Sequence, residues 1–155
     1  LIRRAQALME AAGDDGDFDA LCQQLHRYQA TLRTCFTLEN FDNLIKNGRM
    51  RPIVGTLLRS LGIHIIADAT AEGTIHVADK ARGVGKTYRA ITALMKASKD
   101  CTDAEVVISH CENLEGAMAL KRQILADLPV KQVDLLSCRG LTSFYAMEKG
   151  LIVGY

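Results

Sequence analysis

The 155-residue sequence predicts an α/β protein in which helices pack against a mixed β-sheet. β-Branched runs alternate along the chain with segments whose apolar residues recur every three or four positions. Two of these runs, 63–67 and 74–78, are joined by a short loop containing Gly73, which is typical of a β-hairpin. Alternating strands and helices together with one hairpin favour a layered domain with a mixed sheet.

Two helices are predicted before the first strand. The first begins at Leu1 and ends near Gly13, where the run Gly-Asp-Asp-Gly interrupts the pattern. Asp17 can cap the second helix because its carboxylate can accept hydrogen bonds from amides of the first turn. The apolar face of this second helix consists of Phe18, Leu21, Leu25, Tyr28 and Leu32.

The next segment is predicted to be a short strand followed by two helices. The strand spans 34–38, and Asn40 is expected to cap a brief helix that ends at Asn47 and Gly48. Pro52 suits the first turn of the following helix. Proline has no N–H group, and an N–H at this position would make no hydrogen bond within the helix. The apolar side of that helix consists of Ile53, Leu57 and Leu61.

Strands and helices continue to alternate after the hairpin. A helix is predicted over 84–98, a strand over 105–109, and a further helix that ends before Pro129. The last strands are expected at 131–136 and 151–155.

Composition excludes several classes of protein. Lys and Arg number 19 against 18 Asp and Glu, so the net charge of +1 gives no electrostatic basis for nucleic-acid binding or polybasic membrane attachment. No stretch approaches the ~20 apolar residues of a transmembrane helix. The five cysteines include no CxxC pair and are interpreted as reduced thiols of a cytoplasmic protein. The chain begins without Met inside an apparent helix, which indicates a fragment of a longer protein.

The run Gly-Val-Gly-Lys-Thr at 83–87 is similar to part of a phosphate-binding loop. A complete motif would need Gly at position 80, which is Lys80, and no later strand ends in a metal-binding Asp. The sequence therefore favours an ordinary glycine-containing loop that leads into a helix. A nucleotide-binding module using Gly83–Thr87 remains a less favoured alternative.

No catalytic residue and no metal site is predicted. The histidines show neither HxH nor HExxH spacing, and Ser143 lacks the G-x-S-x-G context of an activated serine. His110 and Cys111 are adjacent at a strand end, where neighbouring side chains point to opposite faces and cannot form a nucleophile–base pair.

Two basic loops flank strongly apolar segments. One is 47–52, which contains Arg49, and the other is 80–83, which contains Arg82. A guanidinium offers a planar pair of donors to a carboxylate. Placed beside an apolar helix, these groups suit a ligand with a carboxylate head and a hydrocarbon tail.

The order of these motifs resembles the DegV family of bacterial fatty-acid-binding proteins. The resemblance begins at Leu38-Glu39-Asn40-Phe41-Asp42-Asn43-Leu44-Ile45-Lys46-Asn47-Gly48-Arg49-Met50 and covers nearly the whole chain in order. It continues through the segments 57–77, 80–83, 107–110, 115–125 and 150–154.

This resemblance implies a two-lobed α/β fold in which a fatty acid lies between the lobes. It assigns residues 1–32 to interlobe helices and 33–155 to the C-terminal lobe, with the N-terminal lobe absent from this chain. The implied function is to bind a long-chain fatty acid and present it to a partner fatty-acid kinase, as a carrier without catalysis or a cofactor of its own.

The resemblance also implies a set of site residues. Arg49 and Arg82 are expected near the carboxylate end or at the rim that docks the kinase, with Ser143 and Tyr145 as further polar candidates. Ile53, Leu57 and Leu61 are expected to face the acyl chain, or equally to belong to the ordinary core.

One departure from the family concerns its His-Thr-Gly-Pro-Gly loop. Residues 146–150 are Ala-Met-Glu-Lys-Gly here, so the family's His falls on Ala146. The segment 139–145 can supply substitute hydrogen-bond donors.

The alternative from the enzyme class is a dihydroxyacetone-kinase-like substrate domain, which would need a His placed to bind the ketone.

Overall fold

Two units, residues 1–32 and 33–155, make up the chain in the computed structural model. The structure describes residues 1–13, 16–50, 62–70 and 72–155. The helix predicted after Pro52, with Ile53, Leu57 and Leu61 on its apolar side, lies outside the described residues.

The first unit consists of two helices, α1 (Ile2–Ala12) and α2 (Phe18–Thr31), as the sequence predicts. The carboxylate of Asp17 caps α2, because its Oδ1 accepts hydrogen bonds from the amides of Asp19 at 3.0 Å and Ala20 at 3.4 Å.

The second unit is built on a six-stranded sheet, which confirms the predicted fold class. Its strands are β1 (Thr34–Leu38), β2 (Ile63–Ala69), β3 (Ile75–Arg82), β4 (Glu105–His110), β5 (Gln132–Ser137) and β6 (Leu151–Gly154). They lie in the order β3-β2-β1-β6-β4-β5. β4 and β5 are parallel and the other neighbours are antiparallel, so the sheet is mixed.

Strand β3 corrects the prediction of a basic loop at 80–83. Lys80, Ala81 and Arg82 pair with residues of β2 and therefore belong to the strand, which ends directly before the next helix. The sequence does not predict this part of the strand, because its charged side chains interrupt the β-branched pattern. β3 lies at the edge of the sheet, where exposed charged side chains are common because they discourage pairing with other chains.

One face of the sheet is covered by α4 (Val84–Ser98) and α5 (Leu114–Asp127). The main core lies between these helices and the strands. Its fully buried side chains include Ile66, Ile91, Met95, Ile108, Leu120, Ile124 and Val153.

Two short helices, α3 (Asp42–Lys46) and α6 (Gly140–Ala146), pack near the opposite face. A second, smaller core there consists of Leu38, Phe41, Leu44, Ile65, Ala67 and Ala146. Asn40 assists the start of α3 as predicted, since its Oδ1 accepts from the amide of Asp42 at 2.9 Å. α6 is missing from the predicted elements because it is only seven residues long and its N-cap, Arg139, makes no side-chain capping bond.

Among the helices in the described part of the chain, none is both long and apolar enough to span a membrane.

Candidate functional site

An apolar groove of about 190 Å³ lies on the sheet face that carries α3 and α6. Its walls come from three strands, the two short helices and the turn after α3. The described residues that line it are Phe36, Leu38, Leu44, Arg49, Ile75, Tyr145, Ala146 and Ile152. Six of these eight side chains are wholly hydrocarbon, so the groove suits an apolar ligand.

The floor of the groove is formed by alternate side chains of neighbouring strands. Phe36 of β1 lies directly opposite Ile152 of the antiparallel β6, so both side chains project from the same face. Cys35 and Val153 alternate with them and face the main core instead. The groove floor and the main core are therefore the two sides of the same strands.

Arg49 brings a positive charge to the groove. Its guanidinium carbon lies 5.2 Å from the centroid of the Tyr145 ring, within the range of a cation–π contact. The backbone reaches this position through Gly48, whose φ of 69° is readily adopted by glycine. The Arg49 amide then donates to the carbonyl of Leu44 at 2.8 Å, which ties the turn to α3.

Helix α6 is held by a hydrogen bond to α3 and by a ring contact within the helix itself. Asn43 Nδ2 on α3 donates to the carbonyl of Phe144 at 2.7 Å. The Phe144 and Tyr145 rings meet edge to face, with centroids 5.1 Å apart and an interplanar angle of 78°. These contacts orient the α6 residues Tyr145 and Ala146 along the groove wall.

The structure does not bring every predicted site residue to the groove. Arg82 pairs with Ile63 at one end of β3, whereas the groove-lining Ile75 is at the other end of this eight-residue strand. At about 3.3 Å per residue, those ends are ~23 Å apart. Ser143 lies on α6 but is not among the lining residues, and its Oγ donates to the carbonyl of Gly140 at 2.8 Å.

Six described lining residues were not predicted as site residues: Phe36, Leu38, Leu44, Ile75, Ala146 and Ile152. The periodic pattern of a strand or helix shows that such a residue faces inward. It does not show whether the residue contacts other side chains or a ligand. Tyr145 and Arg49, which were predicted, do meet at the groove.

The segment 83–87 has the geometry of a strand-to-helix junction. Gly83 adopts φ 85° and precedes α4 directly. The Thr87 hydroxyl donates to the carbonyl of Gly83 at 3.1 Å, and this residue is only 1% exposed, so the hydroxyl is not presented to a metal ion. Within the described ranges, no three His, Cys, Asp or Glu side chains are grouped as metal ligands would be.

The fold and the groove define a class of protein: an α/β unit whose mixed sheet carries helices on one face and an apolar groove on the other. The chain belongs to the DegV family, since the family model described as "Uncharacterised protein, DegV family" matches residues 3–151. This confirms the resemblance drawn from the sequence motifs.

The curated relatives are longer than this chain. A "DegV domain-containing protein" of Streptococcus gordonii is 31% identical over 151 residues, which is 97% of this chain and 53% of that protein. The chain therefore spans about half the length of the curated relatives it matches.

Two solved structures are similar to the whole fold. A DegV family protein from Eubacterium eligens loaded with heptadecanoic acid is 25% identical, with a TM-score of 0.89 over 99% of this chain and 54% of that one. The Streptococcus pneumoniae Fatty Acid Kinase (Fak) B3 protein loaded with linoleic acid is 32% identical, with a TM-score of 0.81 over 90% of this chain and 49% of that one.

Proposed function

We propose that the unit 33–155 holds the hydrocarbon tail of a long-chain fatty acid in the groove. The observation that carries this proposal is an apolar groove in which Arg49 is the one cation among the described lining residues. Each methylene group removed from water contributes about 0.8 kcal/mol to binding, so a tail lying along Phe36, Leu38 and Ile152 is stabilised mainly by its length. The fatty acids in the two similar structures support this ligand class.

Arg49 is the proposed contact for the carboxylate end of the ligand. Its guanidinium can donate two parallel hydrogen bonds to a carboxylate, and the Tyr145 ring below it restricts the orientation of that fork. Ala146 offers no polar atom in its side chain, so Tyr145 is the proposed replacement for the His of the family. Ser143 is a weaker candidate because its hydroxyl already donates within α6.

Arg82 is proposed to contact a partner rather than the ligand. It is exposed on the edge strand β3, far along that strand from the groove. A partner fatty-acid kinase with an acidic docking surface would complement it, and the chain would present the fatty acid without catalysing a reaction itself. The name of the similar Fatty Acid Kinase (Fak) B3 protein supports a partner of this kind.

A second lobe, N-terminal to this chain in the longer relatives, is proposed to complete the site. The groove of about 190 Å³ is smaller than the ~300–1,000 Å³ of typical small-molecule sites, so it encloses only part of a long acyl chain. Residues 1–32 would join the lobes. We place the carrier in the cytoplasm, because its five cysteines are free thiols, as is usual for proteins of that compartment.

The dihydroxyacetone-kinase-like alternative is less well supported. That chemistry needs a His at the substrate, and none of the described residues that line the groove is a His. Mass spectrometry of the purified protein separates the two functions: a copurifying long-chain acid supports the carrier, and a covalent dihydroxyacetone adduct supports the enzyme.

Two variants of β3 test whether the groove binds the acyl chain. Ile75 lines the groove, whereas Val77 lies two residues along the same face and packs on the same apolar cluster without lining it. Ile75→Ser is expected to weaken palmitate binding about tenfold, because a branched apolar side chain worth ~1.5–3 kcal/mol of burial is lost from the contact. Val77→Ser is the matched control and is expected to leave the affinity nearly unchanged.

Isothermal titration of the full-length protein with palmitate measures both affinities. Equal losses in the two variants would contradict the placement of the ligand in this groove.

A further inference from the structure

Two cysteines lie side by side at the ends of the parallel strands β4 and β5. The last residues of these strands, His110 and Ser137, are partners in the ladder. The Cys138 amide donates to the carbonyl of His110 at 2.8 Å, which is a hydrogen bond of that last pair. Cys111 and Cys138 each directly follow one member of the pair, and Cys111 lies close enough to Cys138 to raise the pKa of its thiol.

The spacing of neighbouring strands at this point suits a disulfide. Neighbouring strands lie about 4.8 Å apart, and the Cα atoms of disulfide-linked cysteines are about 4.4–6.8 Å apart. Both side chains pack against the same small apolar core, which shows that they project from the same face of the sheet. Both are free and only partly buried, so a small oxidant can reach them.

The remaining cysteines do not form such a pair. Cys35 and Cys101 are buried in the main core, and Cys22 belongs to the separate unit 1–32. Reaction at Cys111 and Cys138 is thus distinguishable by position from reaction elsewhere in the chain.

We propose that Cys111 and Cys138 form an oxidisable dithiol site that a hydroperoxide converts to an intramolecular disulfide. One thiolate attacks the hydroperoxide and becomes a sulfenic acid as the O–O bond breaks and an alcohol, or water, leaves. The second thiolate attacks that sulfur, the S–S bond forms, and the oxygen leaves as water. Two thiols lose two electrons and two protons, and one hydroperoxide is reduced.

The surroundings of the two thiols set the pH dependence of this reaction. Burial raises the pKa of both, with Glu112 and Glu148 adding to the effect at Cys111, and Cys111 itself adding to it at Cys138. The thiolate is the reactive form. The initial rate should therefore rise about tenfold per pH unit between pH 7 and 8, and thiols of this kind should react slowly at neutral pH.

The disulfide would form beside the wall of the groove. The Cys111 thiol contacts the carbonyl of Ser143 on α6, with the sulfur 3.9 Å from the oxygen. α6 also carries Tyr145 and Ala146, which line the groove. The proposed dithiol site does not depend on ligand binding, however, and its test requires no fatty acid.

Peptide mapping after treatment with hydrogen peroxide tests the proposal. The folded protein is expected to lose the mass of two hydrogen atoms and to yield a crosslink between a peptide containing Cys111 and one containing Cys138. Trypsin leaves Cys101 and Cys111 on one peptide, so a glutamate-specific protease is needed to cut at Glu105 between them. Cys138→Ser and, separately, Cys111→Ala are expected to abolish the crosslink, whereas Cys22→Ser is the control that leaves it intact.

Each variant is first shown to retain the circular dichroism spectrum and melting temperature of the folded parent. A crosslink that persists in Cys138→Ser, formation only of disulfide-linked dimers, or no crosslink in the folded parent would overturn the proposal. So would a rate that does not change between pH 7 and 8.

Discussion

Arg49 and Arg82 are both exposed arginines, but their surroundings assign them different roles. Arg49 lines the groove and its guanidinium lies over the ring of Tyr145. Arg82 stands on an edge strand opposite Ile63 and does not line the groove. Similar residues in similar basic segments of the sequence are thus separated by the fold into one candidate for the ligand and one for a partner.

Alanine variants of these two residues should therefore have different effects. Arg49→Ala is expected to weaken fatty-acid binding about tenfold or more, because a charge-assisted hydrogen bond contributes ~1.5–3 kcal/mol. Arg82→Ala should leave that affinity unchanged but slow phosphorylation of the bound fatty acid by the proposed partner kinase. Each change should alter the free energy of unfolding by no more than about 0.5 kcal/mol, since both side chains are exposed.

Titration with palmitate, reconstituted kinase turnover and urea unfolding of the full-length protein measure these three quantities. Normal turnover in Arg82→Ala would argue against a docking role for that residue.

Cys35 makes the stability of the fold sensitive to alkaline pH. This residue is completely buried, and burial together with the nearby Asp68 raises the pKa of its thiol from 9.0 to about 12. The folded state therefore holds the proton more tightly than the unfolded chain. The resulting stabilisation is fully present below pH 9 and is lost as the pH rises toward 12.

The expected loss is on the order of 4 kcal/mol when the thiol is fully ionised, at about 1.4 kcal/mol per pKa unit. Cys35→Ala should flatten the decline of unfolding free energy between pH 9 and 11, although Tyr155, whose pKa burial raises to about 12, retains its own contribution above pH 10. Urea unfolding across this range provides the measurement, with Cys22→Ala as the control. An unchanged slope in Cys35→Ala would show that this thiol is not responsible.

At the scale of elements, the junction between β3 and α4 depends on one of its two glycines. Gly83 adopts φ 85°, ψ 147°, a conformation that other residues reach only with strain. Gly85 lies inside the first turn of α4, and a Cβ atom there would meet no other atom within 4 Å. The pattern Gly-x-Gly thus contains one glycine that the backbone requires and one that it does not.

Alanine substitution should have opposite effects at the two glycines. Gly83→Ala is expected to destabilise the fold by ~1–3 kcal/mol, whereas Gly85→Ala should stabilise it by ~0.5 kcal/mol because the unfolded chain loses freedom. Thermal unfolding compares the variants directly. Strong destabilisation by Gly85→Ala would mean that its Cβ is not accommodated as the structure indicates.

The melting temperature also tests the nucleotide alternative at this junction. A nucleotide whose phosphate is bound by this turn would raise the free energy of unfolding, and tighter binding would raise it more. We expect Mg-ATP to leave the melting temperature of the parent protein unchanged. A rise that Lys86→Ala removes would support the nucleotide-binding module instead.

At the scale of the whole molecule, the groove belongs to a chain that spans about half the length of the curated relatives it matches. The described residues that line the groove all belong to the unit 33–155, and the curated relatives are about twice as long as this chain. An acyl chain longer than the groove would need cover from outside this unit. Affinity should therefore depend on how much of the tail each form of the protein encloses.

This 155-residue chain should bind palmitate more weakly than the longer protein with its proposed N-terminal lobe. If about five methylene groups stay in water, at about 0.8 kcal/mol each, the difference is on the order of 4 kcal/mol, or nearly a thousandfold in Kd. Parallel titrations under one set of conditions compare the two. Equal affinities would place the complete site within these residues.

Local patterns in the sequence determined most of the elements and the family. Apolar residues at three- and four-residue spacing predicted α2, α4 and α5, and the glycine between two β-branched runs predicted the hairpin β2–β3. These signals are readable because helix and strand periodicity depend on residues close together in the chain. The ordered motifs likewise identified the DegV family and selected Arg49 and Tyr145 as candidate site residues.

Only the tertiary structure decided which residues share the groove. Phe36, Ile75 and Ile152 come from three strands and meet because of sheet order and register, which pair residues that are distant in sequence. The same long-range pairing extended β3 through its charged residues and placed Cys111 beside Cys138. Periodicity identifies the inward side of each element, but the identity of its neighbours depends on contacts between elements, which no local pattern encodes.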